Sequence, residues 1–169
     1  YEKGYEKTSI SDIAKEMQVA QGLFYRYFPS KEILFETAIE QYARKQVAQM
    51  TSILDTSHKT LLQIVEQMPT FIEAEQEDSY MKKIFHGAGS QEIHMRLSMS
   101  ICSKMQPIVE QLLQDANERG ETQISDPEAA ASFCVYGQLG ILLDQSIPRE
   151  ERVRRIKKFL TEVLRKFQK

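Results

Sequence analysis

Residues 8 to 31 read TSISDIAKEMQVAQGLFYRYFPSK, and this stretch decides the fold expected for the chain. It holds two short helical patterns joined by a tight turn. Ser9 is suited to cap the first helix, and Asp12 follows at the position where a carboxylate bonds back to the backbone amide of the cap. The first helix is therefore predicted to begin at about Ile10, and the second to run from about Gln21 to Tyr27.

Apolar residues at helical spacing give each of these helices one face for burial. They are Ile10, Ile13, Ala14 and Met17 on the first helix, and Val19, Leu23 or Phe24, and Phe28 around the second. The remaining face of the second helix carries Gln21, Gly22, Tyr25, Arg26 and Tyr27. Glutamine pairs with adenine, arginine pairs with guanine, and tyrosine hydroxyls bond phosphate oxygens. The pattern favours a helix-turn-helix that reads a DNA groove; the alternative is a surface hairpin whose polar face only meets water.

The order of residues adds to this pattern. The run from Gly4 to Phe35, GYEKTSISDIAKEMQVAQGLFYRYFPSKEILF, resembles the signature of the tetracycline-repressor (TetR) family of bacterial one-component regulators. The matching positions are Gly4, Tyr5, Ser9, Ile13, Ala14, Val19, Gly22, Tyr25, Tyr27, Phe28, Ser30, Lys31, Glu32, Leu34 and Phe35.

The resemblance implies roles for single residues. In the family, the positions that match Ser9, Tyr25, Tyr27 and Lys31 usually touch phosphates. The positions that match Ser11, Gln21, Gly22, Leu23 and Arg26 lie near base edges. These nine residues are therefore the expected DNA contacts.

Two positions depart from the family pattern, and the resemblance implies one further helix upstream. Gln18 stands where a turn glycine is common, and Ala20 replaces the usual serine or threonine cap, which weakens the helix start by about 1 kcal/mol. The family fold places another helix before this pair, and Tyr1 falls where that helix should end. The resemblance thus implies an incomplete helix-turn-helix DNA-binding domain over residues 1–31 and a helical effector-binding and dimerisation domain over residues 32–169.

The composition agrees with an all-α globular protein. Apolar residues make up 41% and charged residues 27% of the chain, and no alternating pattern suggests strands. No apolar run approaches the roughly 18 residues that a membrane span needs, and no signal peptide is visible, so a cytoplasmic location is expected. The net charge of −2 does not argue against DNA, because basic groups need to face the phosphates only locally.

After the first segment the chain is predicted to form a series of helices. Their expected starts are Ser30, Ser57, Ser79 and Gln91. Pro69 is expected to bend the second of these and Pro107 to interrupt the fourth, because proline removes a backbone hydrogen bond. Gly120 is suited to the left-handed end of that fourth helix.

Two C-terminal segments are predicted to form an interface between two copies of the chain. Asp126 and Pro127 open a helix that is apolar on nearly every face through Leu143, and Pro148 begins a last helix with an apolar stripe. Together they look like half of a four-helix bundle across a twofold axis, as in the family. The expected interface residues are Gly137, Gly140, Ile141, Ile156, Phe159, Leu160, Val163 and Phe167. The alternative is that both helices close the core of one protomer.

A ligand cavity is expected between the helices that Pro69 and Pro107 make irregular. Its candidate lining is Met68, Phe71, Met81, Phe85, His94, Met95, Met99, Cys102, Phe133 and Tyr136. Methionine and aromatic walls suit a small apolar or amphipathic effector; the alternative is ordinary core. Such an effector would release a dimeric repressor from a palindromic operator by changing the distance between the recognition helices. Activation is the other mode that the sequence leaves open.

Neither catalysis nor a cofactor is expected. His58, His86 and His94 form no metal pattern, and there is no nucleophile elbow or phosphate-cradling glycine loop. Cys102 and Cys134 lie far apart and are expected as buried reduced thiols, with a redox switch as the alternative. The alternative to an operator-binding regulator is a helical small-molecule sensor or protein-interaction module without operator binding.

Overall fold

A computed structural model describes residues 4–52, 54, 58–74 and 91–168 of the chain. Those residues contain no β-strand, only one isolated antiparallel bridge between Thr122 and Gln168. The all-α class expected from the sequence is therefore confirmed. The helices of the described residues are α1 (Gly4–Lys7), α2 (Ile10–Glu16), α3 (Gln21–Tyr27), α4 (Lys31–Thr51), α5 (Leu61–Gln67), α6 (Phe71–Ala74), α7 (Gln91–Glu118), α8 (Pro127–Tyr136), α9 (Leu139–Leu142) and α10 (Arg149–Arg165).

Helices α2 and α3 form a small unit with its own core. Ile10, Ala14 and Phe24 are buried there, and Val19 and Phe28 pack against them with other half-buried residues. Burial of Phe24 settles the choice that the sequence left open, because Leu23 is 44% exposed. Met17 does not join this core as predicted: it follows the last residue of α2 as its C-cap and is 61% exposed.

The start of α2 is fixed by a reciprocal cap. The Asp12 amide donates to Ser9 Oγ at 3.1 Å, and the Ser9 amide donates to Asp12 Oδ2 at 2.9 Å. Each bond satisfies a backbone N–H group that the helix itself leaves without a partner. The predicted capping box and the start at Ile10 are both confirmed.

The turn between α2 and α3 contains the two departures from the family pattern. Gln18 adopts a φ of 55°, in the left-handed region where a residue with a Cβ costs roughly 1–2 kcal/mol. Ala20 is extended, and no side chain caps α3 behind it. The turn is thus made by two residues that do not favour it.

The body is organised around the 28-residue helix α7, which packs against α4 on one side and α8 on another. It contributes to both large buried clusters of the described residues. The first is Ile39, Ala43, Val47, Met50, Ile72, Leu97, Ile101, Cys102, Met105, Val135, Leu142 and Ile156. The second is Leu61, Ile64, Leu112, Leu113, Ala116, Ile124, Ala131 and Leu164. Helix α7 therefore connects the end of the body next to α4 with the end next to α5 and α10.

Several helix ends of the body follow the predicted local signals. The Ile33 amide donates to Ser30 Oγ at 3.2 Å, and the Ala129 amide donates to Asp126 Oδ1 at 2.9 Å. Gly120 has a φ of 73°, the left-handed conformation expected after α7.

Two expectations about the helix around Pro69 are wrong. The helix begins at Leu61 rather than Ser57, because Thr60 and Gln63 form a capping box at that point. Pro69 does not bend it: α5 ends at Gln67, and Met68 is extended with a ψ of 125°. A residue before proline is pushed out of the helical region by the proline ring, so the helix stops there.

Two expectations about later helices are also wrong. Helix α7 runs through Pro107 without interruption. Proline has no N–H group to donate, so the carbonyl of Ser103 one turn earlier loses its usual helix partner. Both Pro107 and Ser103 lie on the exposed face of the helix. Water can therefore bond the carbonyl that proline leaves unpaired. The segment from Pro127 to Leu143 is two helices, α8 and α9, separated at Gly137. Ser57 and the predicted helix at Ser79–His86 lie outside the described residues.

Candidate nucleic-acid interface and internal cavity

The five residues expected near base edges all lie on the surface of the α2–α3 unit. Ser11 is exposed on α2, and Gln21, Gly22, Leu23 and Arg26 are exposed on α3. Burial of Phe24 against α2 turns these α3 positions outward. A Cβ added at Gly22 would meet nothing within 4 Å, so no contact inside the protomer requires a glycine there.

Three of the four residues expected at phosphates line one surface cleft. Ser9, Tyr25 and Lys31 share it with Lys7 at the end of α1, while Tyr27 lies outside it and is 66% exposed. Lys7 is not one of the nine expected DNA contacts, although it lines the same cleft. A cationic side chain beside predicted phosphate contacts could have indicated it.

Two of these side chains are already held by the protein. Lys31 Nζ donates to the carbonyl oxygens of Tyr5 at 3.0 Å and Glu6 at 3.3 Å, and it lies 4.2 Å from the centre of the Tyr5 ring. Lys31 thus fastens the end of α1, and an ammonium has a third donor to offer a phosphate. Ser9 Oγ donates to Asp12 Oδ2 at 2.7 Å, so a phosphate contact from this hydroxyl would replace that bond.

A cavity of about 110 Å³ lies inside the body, among α4, α5, α7, α8, α9 and α10. Its wall is almost entirely apolar. The lining residues are Met50, Leu61, Val65, Met68, Pro69, Thr70, Ser98, Ile101, Cys102, Met105, Val109, Leu112, Leu113, Cys134, Val135, Gln138, Leu139, Leu142, Lys157, Leu160 and Leu164. Of the candidates predicted from the sequence, Met68 and Cys102 line it.

Five predicted lining residues lie elsewhere. Met95 and Met99 are 45% and 46% exposed on the flank of α7, and Phe133 is 81% exposed on α8. His94 is buried one turn before Ser98, beyond the end of the cavity, and Tyr136 packs beside the first buried cluster. The Phe71 side chain, Met81 and Phe85 lie outside the described residues. Residue type alone misassigned the exposed side chains, because it does not show which helix face turns inward.

The lining residues of α7, of which only Cys102 was predicted, follow a regular spacing along the helix. Ser98, Ile101, Cys102, Met105, Val109 and Leu112 form an inward stripe of helical period. That period was visible in the sequence. The partners from α8 and α9, such as Cys134 and Gln138, depend on how those helices pack, and no local pattern indicates them.

Both cysteines line this cavity as thiols without a disulfide. Burial raises the pKa of Cys102 to about 11 and also raises the pKa of Cys134. The Cys102 thiol donates to the Val135 carbonyl with Sγ 3.7 Å from the oxygen. At neutral pH both groups are therefore protonated and poor nucleophiles.

Among the described residues of the wall, Lys157 is the charged one, and it is paired. Its Nζ donates to Glu73 Oε1 at 3.0 Å, while Glu73 Oε2 accepts from the Thr70 amide at 2.8 Å and the Thr70 hydroxyl at 2.9 Å. Burial raises the pKa of Glu73, but the bonds from Thr70 and Lys157 outweigh it and hold the pKa below its usual range. The pair therefore leaves no uncompensated charge at the cavity edge at neutral pH.

The predicted interface residues divide into exposed and internal groups. Gly137, Gly140, Phe159 and Phe167 are exposed, with Phe159 at 62%. Ile156 is 2% exposed within the core of the protomer, so its assignment to an interface was wrong. Leu160 lines the cavity, and Ile141 and Val163 are half-buried.

The two glycines differ in what surrounds them. A Cβ at Gly137 would collide with the carbonyl oxygen of Phe133, so the turn after α8 itself requires this glycine. A Cβ at Gly140 would meet nothing within 4 Å. Packing within the protomer therefore explains why residue 137 is a glycine, but it does not explain the glycine at residue 140.

The described part of the chain contains neither a metal-binding cluster nor a membrane-spanning helix. There, no three histidine, cysteine, aspartate or glutamate side chains are grouped so as to hold a metal ion. Its helices also include none that combines the length and apolar character needed to cross a bilayer.

Comparison with known proteins agrees with this geometry. Residues 1–38 match the family model described as bacterial regulatory proteins, tetR family. The fold matches the crystal structure of a TetR-family transcriptional regulator from Pectobacterium atrosepticum, with a TM-score of 0.59 and 21% identity over 99% of this chain and 86% of that one. Residues 1–38 therefore match the tetR family model, and the fold of the whole chain is similar to that of TetR-family regulators.

Two curated relatives match over shorter segments. An uncharacterized HTH-type transcriptional regulator of Bacillus subtilis, YuxN, is 42% identical over 52 residues, which cover 31% of this chain and 18% of YuxN. The nucleoid occlusion factor SlmA of Haemophilus influenzae is 27% identical over 86 residues, which cover 51% of this chain and 39% of SlmA. The chain thus spans less than half the length of each of these two relatives.

Proposed function

We propose that the chain is a transcriptional repressor that binds a palindromic DNA operator as a homodimer and is released by a small apolar or amphipathic effector. The observation that carries this proposal is the outer face of α3. Its buried residue Phe24 anchors it to α2, while Gln21, Gly22, Leu23 and Arg26 are exposed together.

The side chains of that face suit direct readout of bases. Gln21 offers an amide for adenine, and Arg26 offers a guanidinium for guanine. Gly22, which has open space around it, lets the helix backbone approach the groove. The cleft with Lys7, Ser9, Tyr25 and Lys31 would then hold the phosphate backbone beside it.

Dimerisation is supported by exposed apolar surface on the C-terminal helices. Phe133 on α8, Phe159 on α10 and Phe167 just after it are 81%, 62% and 38% exposed. Three such groups on the C-terminal helices would mark an interface if they form one contiguous apolar patch. A twofold pair would set two copies of α3 about 34–36 Å apart, the distance between successive major grooves on one side of DNA.

Effector release is supported by the position of the cavity. Its wall is shared by α4, which begins directly after the α3 unit, and by α8 and α10, which carry the exposed aromatic residues. A ligand that pushes these helices apart would change the separation of the two α3 helices. Operator affinity would fall because both half-sites could no longer be engaged together.

Binding to the DNA that flanks the gene of this protein tests the proposal. Fluorescence anisotropy should show saturable binding that Arg26→Ala weakens by about 1–3 kcal/mol at the preferred sequence. Arg44→Ala is the matched control, because Arg44 is an exposed arginine on α4 with its side chain 75% accessible and no predicted DNA role. Equal loss in both variants, or no binding by the unaltered chain, would favour the sensor without operator binding.

A further inference from the structure

One polar atom inside the cavity lacks a partner. Ser98 is 2% exposed and lines the cavity, and its Oγ makes no hydrogen bond in the structure. A buried hydroxyl without a partner is costly, and most such groups in proteins are satisfied. A molecule in the cavity that bonds this hydroxyl would remove the cost.

Three other polar side chains of the wall each make at least one hydrogen bond within the protein. Gln138 Nε2 donates to the Cys134 carbonyl at 3.1 Å, and the Thr70 hydroxyl donates to Glu73. Lys157 is neutralised by the same Glu73 carboxylate. A charged ligand would therefore enter apolar surroundings without an opposite charge to pair with, which is strongly unfavourable.

The size of the cavity limits the ligand further. At about 110 Å³ it is somewhat smaller than the apolar protein cavity of about 150 Å³ known to take up benzene. One ring or a short branched chain therefore fills it. The surrounding methionines Met50, Met68 and Met105 have flexible side chains that adjust to such a shape.

We propose that the cavity binds a small uncharged molecule, mostly apolar and about one ring in size, whose single hydroxyl bonds Ser98 Oγ. This inference rests on the proposed effector-controlled function and specifies the chemical class of the effector. The same geometry excludes carboxylates and ammonium compounds of equal size as ligands of this cavity.

Three probes built on the same six-membered carbon ring test the proposal. Cyclohexanol offers a hydroxyl, methylcyclohexane replaces it with a methyl group, and cyclohexylammonium replaces it with a charge. Binding is followed by NMR of the chain labelled at its methionine methyl groups, without DNA. Met50, Met68 and Met105 should shift with cyclohexanol, whereas the exposed Met17, Met95 and Met99 serve as internal controls.

The ratio of the two neutral probes reports the Ser98 bond. Ser98→Ala should reduce the preference for cyclohexanol over methylcyclohexane by about 3- to 10-fold, the effect of one hydrogen bond between neutral groups. Ser103→Ala, an exposed serine on the same helix, should leave the preference unchanged. The melting temperature of Ser98→Ala should not fall, because the substitution removes a hydroxyl without a partner.

Each contrary result overturns a definite part of the inference. Cyclohexylammonium binding as tightly as cyclohexanol would contradict the uncharged class. An unchanged preference in Ser98→Ala, or a lower melting temperature, would contradict the role of its hydroxyl. No shift of the three lining methionines would contradict the site itself while leaving DNA binding untouched, and loss of DNA binding with intact probe binding would contradict only the repressor function.

Discussion

The segment over residues 4–31 and the body over residues 32–168 are stabilised in different ways. The first segment has three buried apolar residues and depends on local bonds such as the Ser9–Asp12 cap. The body contains clusters of twelve and eight buried residues joined across helices distant in sequence. The first segment thus presents its side chains outward from a minimal core, while the body has enough core to enclose a cavity.

This difference fits the two tasks proposed for the molecule. A small unit with exposed polar and aromatic side chains is suited to contact a partner surface, and it needs only enough packing to hold α3 in place. In the proposed function the body responds to a ligand, and several of its helices share the wall of one cavity. The helix α4 connects the two, because it starts at Lys31 in the cleft and reaches Met50 at the cavity.

Removing the one buried aromatic ring of the first segment should produce the largest effect. Phe24→Ala should cost about 3–5 kcal/mol. We expect DNA binding to be lost while the thermal transition of the body, followed by circular dichroism, persists. Met17→Ala, at a residue 61% exposed, should change neither. A single transition shifted as a whole would show that the two regions unfold as one unit.

Substitutions at the two glycines should separate association from folding. Gly140→Leu has space in the protomer and should weaken the dimer by about 30-fold or more, as expected for a central interface position. Gly137→Ala should instead lower the melting temperature, because its Cβ meets the Phe133 carbonyl. Sedimentation equilibrium and thermal melts measure both. A Gly140→Leu chain that dimerises normally would remove α9 from the interface.

Base and phosphate contacts should respond differently to substitution in the first segment. Gln21→Ala should relax sequence preference and cost about 1–3 kcal/mol at the preferred operator only. Lys31→Ala should weaken binding to every sequence alike and reduce the salt slope by about one unit. Binding titrations on specific and scrambled DNA across salt concentrations measure both. Identical behaviour of the two variants would contradict the assigned roles.

Repairing the turn should produce the smallest effect. Gln18→Gly relieves the left-handed backbone and should stabilise the first segment by about 0.5–1 kcal/mol. Ala20→Ser adds a cap to α3 and should contribute about 1 kcal/mol. Hydrogen exchange of the α3 amides, compared with those of α7, reports the gain. Slower exchange in α7 as well would show that the effect is not local.

The sequence predicted best what depends on neighbouring residues. The Ser9 capping box, the bounds of α3 and the left-handed Gly120 follow from signals a few residues long. The end of α5 before Pro69 also depends on neighbouring residues. A bend was expected instead, because a single proline is compatible with either a bend or a helix end. The inward or outward orientation of Met95, Phe133 and Ile156 was not predictable in this way, because it depends on which helices pack together.

Hydroxyl-radical footprinting on the DNA that flanks the gene of this protein tests the central claim most directly. A dimer presenting two copies of α3 should protect two symmetric half-sites with centres about 34–36 Å apart on one side of the duplex, and Arg26→Ala should remove both together. Absence of protection, or protection of one isolated half-site that Arg26→Ala leaves unchanged, would contradict it.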